Sequence, residues 1–271
     1  MTSAAAGMSD RSKGTGFALR GWLLRYASVI VVLATWELSV RVGGVDPFLL
    51  PPLSAVLSLL ADEVVSGDVP YQAMLTIYRA MAGFLAATLL GVAIGVLTAR
   101  NRYCRWFFEP LISVGFPMPK IAFMAIFILW FGIGDTSKIV MVSLTCIFPV
   151  ISATYLGTTR VDHYLIWSAR NMGTSENRIL WRVVLPASMP QILSGLQIAF
   201  PSSLIVTVVT EMISSGGGLG SYMILAARFA LSEKVFVGIV TIAIVGYVLL
   251  TVFGHVRRRL LLWHAESQQA I

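Results

Sequence analysis

Residues 81–99, 139–158 and 235–254 carry no charged side chain, and each is close to the roughly 20 apolar residues that a helix needs to cross a hydrocarbon core about 30 Å thick. A chain with three such stretches cannot keep them all inside a soluble core of its size. Composition agrees. Only 12% of the 271 residues are charged against 57% hydrophobic, where soluble domains hold about 25% charged residues; mean hydropathy is +0.81. The sequence therefore predicts an integral membrane protein.

Three further spans are less regular. The uncharged stretch 183–210 is divided by Pro186, Pro190 and Pro201, so its span is placed from about Gln191 to Thr210. The first span, about 23–42, contains Glu37 and Arg41, four apart on one helical face, where pairing lowers the cost of burial. The third is short: 121–134 is uncharged, but Pro117, Pro119 and Lys120 interrupt its start. A helix over about 105–114, lying along the inner surface, precedes it. The reading is an all-α polytopic membrane protein with six transmembrane helices over residues 23–256, flanked by tails at 1–22 and 257–271. No small-residue cleavage site follows the first apolar run, which argues for a retained tail rather than a signal peptide. Between the first two spans, Ser54 is placed to cap a helix lying along the outer interface, with Leu57, Leu60, Ala61 and Val64 on one face.

The basic residues orient the spans. Arg11, Lys13, Arg20, Arg25, Arg100, Arg102, Arg105, Arg160, Arg170, Arg178, Arg182 and Arg257 to Arg259 all fall on one side if the spans alternate. The other side holds Asp46, Asp62, Glu63, Asp68, Asp135 and Glu233. By the positive-inside rule both termini are cytoplasmic. The net charge of +7 thus reads as topology; no basic run interleaved with aromatics points to nucleic acid.

Enzymatic constellations are missing from the sequence. There is no GxxxxGK[ST] to cradle a nucleotide triphosphate, no HExxH and no GxSxG. His163, His255 and His264 are scattered, and Cys104 and Cys146 stand in no metal or redox spacing. No metal and no cofactor is expected in this chain, and a conduit or carrier is favoured over an enzyme. A stand-alone secondary carrier or channel is the alternative; it calls for coupling charges in the spans or an inverted repeat, and neither is seen.

One polar insert, about 160–190, breaks the apolar pattern with "WSARNMGTSENRILWRVVLP" (167–186). A helix over 165–172 can close on Gly173 as a left-handed cap. Thr174 or Ser175 can then start a second helix, with Glu176 in its first turn, that Pro186 ends. Ile166, Trp167, Met172, Ile179, Leu180 and Trp181 would stand in water, as expected of an element that docks on a partner.

This segment resembles the cytoplasmic loop of bacterial ABC importer permeases of the binding-protein-dependent family. Their pattern is Glu-Ala-Ala, three residues, Gly, nine residues, Ile-x-Leu-Pro. Trp167-Ser168-Ala169 occupies the triplet, Gly173 the glycine, and Val183-Val184-Leu185-Pro186 the end. Trp replaces Glu, Ser the first Ala and Val the Ile. From about residue 50 onward, "LPPLSAVLSLL", "GFLAATLLGVAIGVLTAR", "PMPKIAFMAIFILWFGIGDTSKI", "EMISSGGGLGSYM" and "EKVFVGI" resemble the nitrate/sulfonate/taurine branch. The resemblance implies a type I ABC importer-like permease fold in a bacterial inner membrane. It also implies a second permease copy, P-loop ATPase subunits that bind the ATP and Mg, and a periplasmic or lipid-anchored solute-binding protein. The cargo would be a small anion such as a sulfonate, taurine, nitrate or an aromatic carboxylate. Trp167, Ser168, Ala169, Gly173, Val183, Leu185 and Pro186 would form the ATPase-coupling element.

Within the spans, Glu211 precedes Ser214-Ser215-Gly216-Gly217-Gly218. It either lines a translocation path together with Thr207 and Thr210, or anchors the glycine loop while the threonines back-bond to their helix. Gly91 and Gly95 form a small-xxx-small face for packing within the chain. Trp130-Phe131-Gly132 reads as an interfacial anchor.

Overall fold

The computed structural model describes the backbone of residues 13–261 and the side chains of residues 27–261; most of the predicted C-terminal tail and residues 1–12 of the N-terminal one lie outside this range. All regular elements among the described residues are helical. In chain order they are α1 (Lys13–Arg41), α2 (Leu53–Ser66), α3 (Asp68–Arg100), α4 (Arg102–Gly115), a 3-10 turn (Lys120–Phe123) and α5 (Met124–Phe131). There follow α6 (Asp135–Thr159), α7 (His163–Asn171), α8 (Glu176–Ile179), a π turn (Leu180–Val184), α9 (Leu185–Ile213), α10 (Leu219–Arg228) and α11 (Ser232–Leu260).

Each of the six predicted apolar segments falls on a helix. Four are long and apolar enough to cross a membrane unaided: α3, α6, the continuous run Glu176–Ile213 and α11. The first predicted span lies on α1, which exposes Val29, Ile30, Val31 and Val32 in succession, as a helix bathed in lipid does. The third is split. After Pro117 and Pro119 the chain turns, so that α4 and the Lys120–Phe131 segment meet at 97°. With its eight residues, α5 rises only about 12 Å, and the bent pair has the form of a broken span or a re-entrant loop.

The centre of the bundle is the parallel pair α3 and α6. Lipid offers no hydrophobic drive for helices to associate, so small residues that let backbones approach set the contact. A Cβ added at Gly83 would lie 2.6 Å from Val142, one at Gly91 2.8 Å from Val150, and one at Gly95 2.6 Å from Thr154. The partners advance in step along both helices, which is the intrachain packing expected of Gly91 and Gly95. α9 closes on the other side of α6, with the Gly195 position 2.3 Å from the Ala153 Cβ. Phe84, Ala87, Val142, Cys146, Val150, Ala199 and Phe200 form the shared core, and Phe253 of α11 stacks on Phe200 with ring centroids 4.7 Å apart.

Two local expectations are corrected. Ser54 does not cap α2; Pro52 occupies the cap position, and Glu37 reaches over from α1 to do the work. Its carboxylate accepts from the Ser54 N–H (3.2 Å), the Ser54 hydroxyl (2.9 Å) and Arg41 Nε (2.6 Å). Leu57 and Val64 are exposed, while Val56, with Leu59 and Leu60, packs against Val69 and Val237. Nor does Pro186 end a helix. It sits in the first turn of α9, directly after a π turn whose wider ring lets Leu185 N–H bond to Leu180 C=O. The missing proline N–H and the ring clash with the preceding turn are absorbed there.

Gly95→Val is expected to overpack the α3–α6 contact and cost about 1–3 kcal/mol, read as a lower Tm in detergent. Gly246→Ala, where a Cβ meets nothing within 4 Å, should not lower it.

Candidate functional site

At the basic end, residues 160–186 fold into a compact helical elbow. Asp162 caps α7 by accepting from the Tyr164 N–H at 2.9 Å. Gly173 then turns with φ +75°. Its N–H bonds to Arg170 C=O at 2.9 Å, and the Thr174 N–H reaches Ala169 C=O at 3.1 Å, the pairing that closes a helix through a left-handed residue. Ser175 takes the cap position of α8. Glu176 accepts from Arg170 at 2.7 Å and lies 3.4 Å from Arg100, which ties both limbs of the elbow to the end of α3.

The elbow has its own core. Val161, Ala169, Ile179 and Val184 are buried, with Ile166, Leu180 and Val183 packed against them. This corrects the expectation that Ile166, Ile179 and Leu180 stand in water: the Gly173 turn folds α7 back so that they face each other. What remains outside is aromatic and soft. Tyr164, Trp167, Met172 and Trp181 are 73%, 56%, 77% and 70% exposed, and Tyr164 meets Trp167 edge-on at 5.8 Å. Of the predicted coupling residues, Trp167, Ser168, Gly173 and Pro186 are exposed, Val183 and Leu185 half-buried, and Ala169 buried in the elbow core.

At the opposite end, a buried polar cluster holds the loop Ser214–Gly218. Arg79 of α3 is 2% exposed. Nε donates to Asp135 Oδ1 at 2.8 Å, and Nη2 lies 2.7 Å from the same oxygen as an ion pair. Nη1 reaches Glu211 Oε1 and Gly217 C=O, each at 2.7 Å, and Nη2 reaches Gly216 C=O at 2.7 Å. Glu211 is fully buried and also accepts from Thr76 Oγ1 (2.9 Å) and the Gly220 N–H (3.1 Å). Lys138, likewise buried, donates to Ile133 C=O and Ser215 C=O at 2.9 and 3.1 Å. Two cations face two carboxylates, so the cluster is neutral. Gly218 is required where it stands: its φ is +97°, and a Cβ there would lie 2.1 Å from the Glu211 carboxylate.

Glu211 shares Arg79 with the loop carbonyls and meets the Gly220 N–H just after the glycine loop. Thr207 and Thr210 do not join the cluster; both are fully buried and donate to Ser203 C=O and Thr207 C=O of their own helix. Arg79, Lys138, Thr76 and Gln72, whose Oε1 accepts from the Gly218 N–H at 2.6 Å, were not singled out in the sequence. A signal existed. Arg79 and Lys138 are basic residues at the end that the charge pattern makes acidic. Nearby, Tyr222 of α10 donates to Glu63, and burial, followed by that carboxylate, pushes the phenol above its usual range. Among the described residues no group of three or more His, Cys, Asp or Glu could hold a metal.

A multi-pass helical chain with a glycine-hinged polar elbow at one end and a neutral ionic staple at the other is built as a transport subunit. Residues 87–262 match the family described as the binding-protein-dependent transport system inner membrane component. The chain belongs to this family of ABC transporter permeases. It is 30% identical over 250 residues to the taurine transport system permease protein TauC of Escherichia coli (strain K12), covering 90% of this chain and 91% of TauC. It is 32% identical over 244 residues to SsuC of Bacillus subtilis (strain 168), named for the transport of aliphatic sulfonates, over 90% of this chain and 88% of SsuC. The fold is similar to a chain of the inward-facing MetNI methionine ABC transporter, with a TM-score of 0.64 at 15% identity over 73% of this chain and 98% of that one.

Arg79→Leu should be severe. It leaves Glu211 buried without its cation and two loop carbonyls unpaired, for which about 3–5 kcal/mol is expected. Arg79→Lys should rescue little, since an ammonium cannot reach two carboxylates and two carbonyls at once. Thr76→Val should cost about 1 kcal/mol. Tm in detergent and protease sensitivity of the 214–218 loop are the readouts.

Proposed function

We propose that this chain is the membrane subunit of an importer that carries a small sulfonate-type anion, taurine being the first to test, into the cytoplasm of a bacterium. Nitrate or an aromatic carboxylate are the other cargoes the resemblance allows. The power comes from separate P-loop ATPase subunits that bind ATP and Mg; a second permease copy completes the pathway, and a periplasmic or lipid-anchored binding protein delivers cargo on the glycine-loop face. The protein sits in the inner membrane with both termini cytoplasmic.

The observation that carries this reading is the elbow. Four large side chains, Tyr164, Trp167, Met172 and Trp181, stand exposed on a small element whose own core is already satisfied. Aromatic and Met side chains are enriched where proteins bind one another, and a pre-folded elbow loses little entropy on docking. Trp167 stands where the family has Glu, so its contact with the ATPase is apolar rather than ionic. Burial of Thr207, Thr210 and Glu211 favours structural roles for them over lining the path. A stand-alone carrier would give no reason for the elbow.

Gly173→Arg should abolish uptake and weaken co-purification of the ATPase while leaving the chain in the membrane. The cause is strain of about 1–2 kcal/mol at a positive φ, together with a long charged side chain in the docking face. Gly173→Ala, which bears only the strain, should retain part of both activities. Normal association in the Arg variant would remove the coupling role.

Orientation is tested separately. With Cys104 replaced by Ser, a cysteine at Asp162 should be shielded from an impermeant thiol reagent added outside cells, and one at Asp46 should react. The reverse pattern would invert the topology.

A further inference from the structure

Between α10 and the glycine loop, at the acidic end of the molecule, lies a pocket of about 260 Å³. Basic side chains at this end are otherwise engaged: Arg79 and Lys138 in the buried cluster, Arg41 by Glu37 and Lys234 by Glu63. Arg228, in the last turn of α10, is not. It is exposed and lines the pocket, and among the described residues its guanidinium meets no carboxylate, carbonyl or aromatic ring. No carboxylate lines the pocket either, so the charge of Arg228 stands there uncompensated.

The loop turns its own donors to the same pocket. Ser215 C=O accepts from Lys138, and Gly216 and Gly217 C=O accept from Arg79, so all three carbonyls face the buried cluster. In a planar trans peptide the N–H points opposite to the C=O. The N–H groups of Gly216, Gly217 and Gly218 therefore face away from the cluster. The last donates to Gln72 Oε1 at 2.6 Å, and Gln72 is part of the pocket wall, which confirms the direction. The other two have no partner among the described residues. Gly216 is exposed and Gly217 half-buried; both line the pocket, while Arg79, Lys138 and Glu211 do not. Peptide units whose carbonyls are bonded to cations are polarised, which strengthens their N–H groups as donors, and successive N–H groups in such a turn form a concavity suited to an anion.

We propose that this pocket receives the head of a short alkylsulfonate, its oxygens taken by the Gly216 and Gly217 N–H groups and by Arg228. Two backbone donors and a guanidinium call for an acceptor with several negative oxygens, and a sulfonate offers three where a carboxylate offers two. The rest of the wall suits the alkyl part, since Met212, Ile224 and Leu225 line it. A cation would find no carboxylate there. The choice of a sulfonate among oxyanions rests on the proposed function; the demand for an oxyanion comes from the pocket itself. The buried cluster then has a second consequence: by drawing the loop carbonyls inward, Arg79 and Lys138 present the amides to cargo arriving at this face.

The test uses the full chain in phosphatidylcholine nanodiscs without ATPase or binding protein. A failure of import would leave its result standing, and its own failure would leave the importer reading standing. With serine labelled at the carbonyl carbon and glycine at the nitrogen, only Ser–Gly peptides give a carbonyl-edited amide signal, and the chain has three, at Gly67, Gly195 and Gly216. Ethanesulfonate should move the Gly216 amide proton downfield in a saturable titration. Gly67, between α2 and α3, and Gly195, in the α6–α9 seam, should stay in place and report an intact fold. Arg228→Gln, which alters an exposed side chain, should weaken the binding about tenfold. Arg160→Gln removes the same charge at the opposite end and should leave it unchanged. Ethylammonium should have no effect. The absence of a saturable Gly216 shift, or equal affinity in Arg228→Gln, overturns the site. A shift produced by inorganic phosphate or by phosphatidylglycerol in the disc, but not by ethanesulfonate, overturns its assignment to a sulfonate.

Discussion

The ion pair between Arg79 and Glu211 is the contact from which the loop end of the molecule is built. Both side chains are essentially excluded from solvent, where an isolated charge would be prohibitively expensive. Each is therefore matched donor for acceptor: Arg79 by two carboxylates and two loop carbonyls, Glu211 by a guanidinium, a hydroxyl and an amide. Because the partners come from α3, α6, α9 and the loop that follows it, the cost of burial can be met only when all four are in place. The pair adds little net attraction over an apolar contact of the same shape. What it imposes is one arrangement of the loop.

The bundle around it works by a different rule. The seams between α3, α6 and α9 have glycine facing a β-branched or small residue at Gly83, Gly91, Gly95 and Gly195. Outward positions such as Leu85, Leu89 and Leu90 are exposed. In lipid that division is sensible, since large apolar groups gain nothing from leaving the hydrocarbon while close backbones gain dispersion contacts. The charged side chains of the core bundle stand at its two ends, in the ionic staple and the arginine-lined elbow, while hydroxyls such as Thr207 and Ser203 are buried between them.

Much of this was legible in the chain before any coordinates. Uncharged runs located the helices, and the spacing around Gly173 foretold a left-handed turn, because only a few residues tolerate that conformation. Glu37 and Arg41 announced their pairing by their separation. What escaped was everything set by tertiary partners. Nothing local reveals that Ile166, Ile179 and Leu180 face one another, since their burial depends on how sharply the elbow folds. Pro186 reads as a terminator unless a π turn before it removes the conflict, and π turns have no composition of their own. Ser54 has the chemistry of a cap, but the Glu37 carboxylate, seventeen residues before it, took the role through space. Arg79 and Lys138 were visible only as exceptions to the charge asymmetry. Such exceptions among basic residues mark buried partners here: Arg79 and Lys138 have theirs in the cluster, and Lys234 has Glu63 at 2.7 Å.

Glu176 and Glu211 belong to one unbroken helical run, Glu176–Ile213. The first is clamped in the elbow and the second in the glycine-loop cluster, with about 50 Å of helix between them at 1.5 Å per residue. The two ends of the molecule are thus joined by a single mechanical shaft, and the π turn at Leu180–Val184 is its coupling joint. A π turn is a surplus residue in the winding, so it can pass along the helix or be taken up without breaking the rod. Tightening it to α geometry would turn the elbow relative to α9 by about 100°.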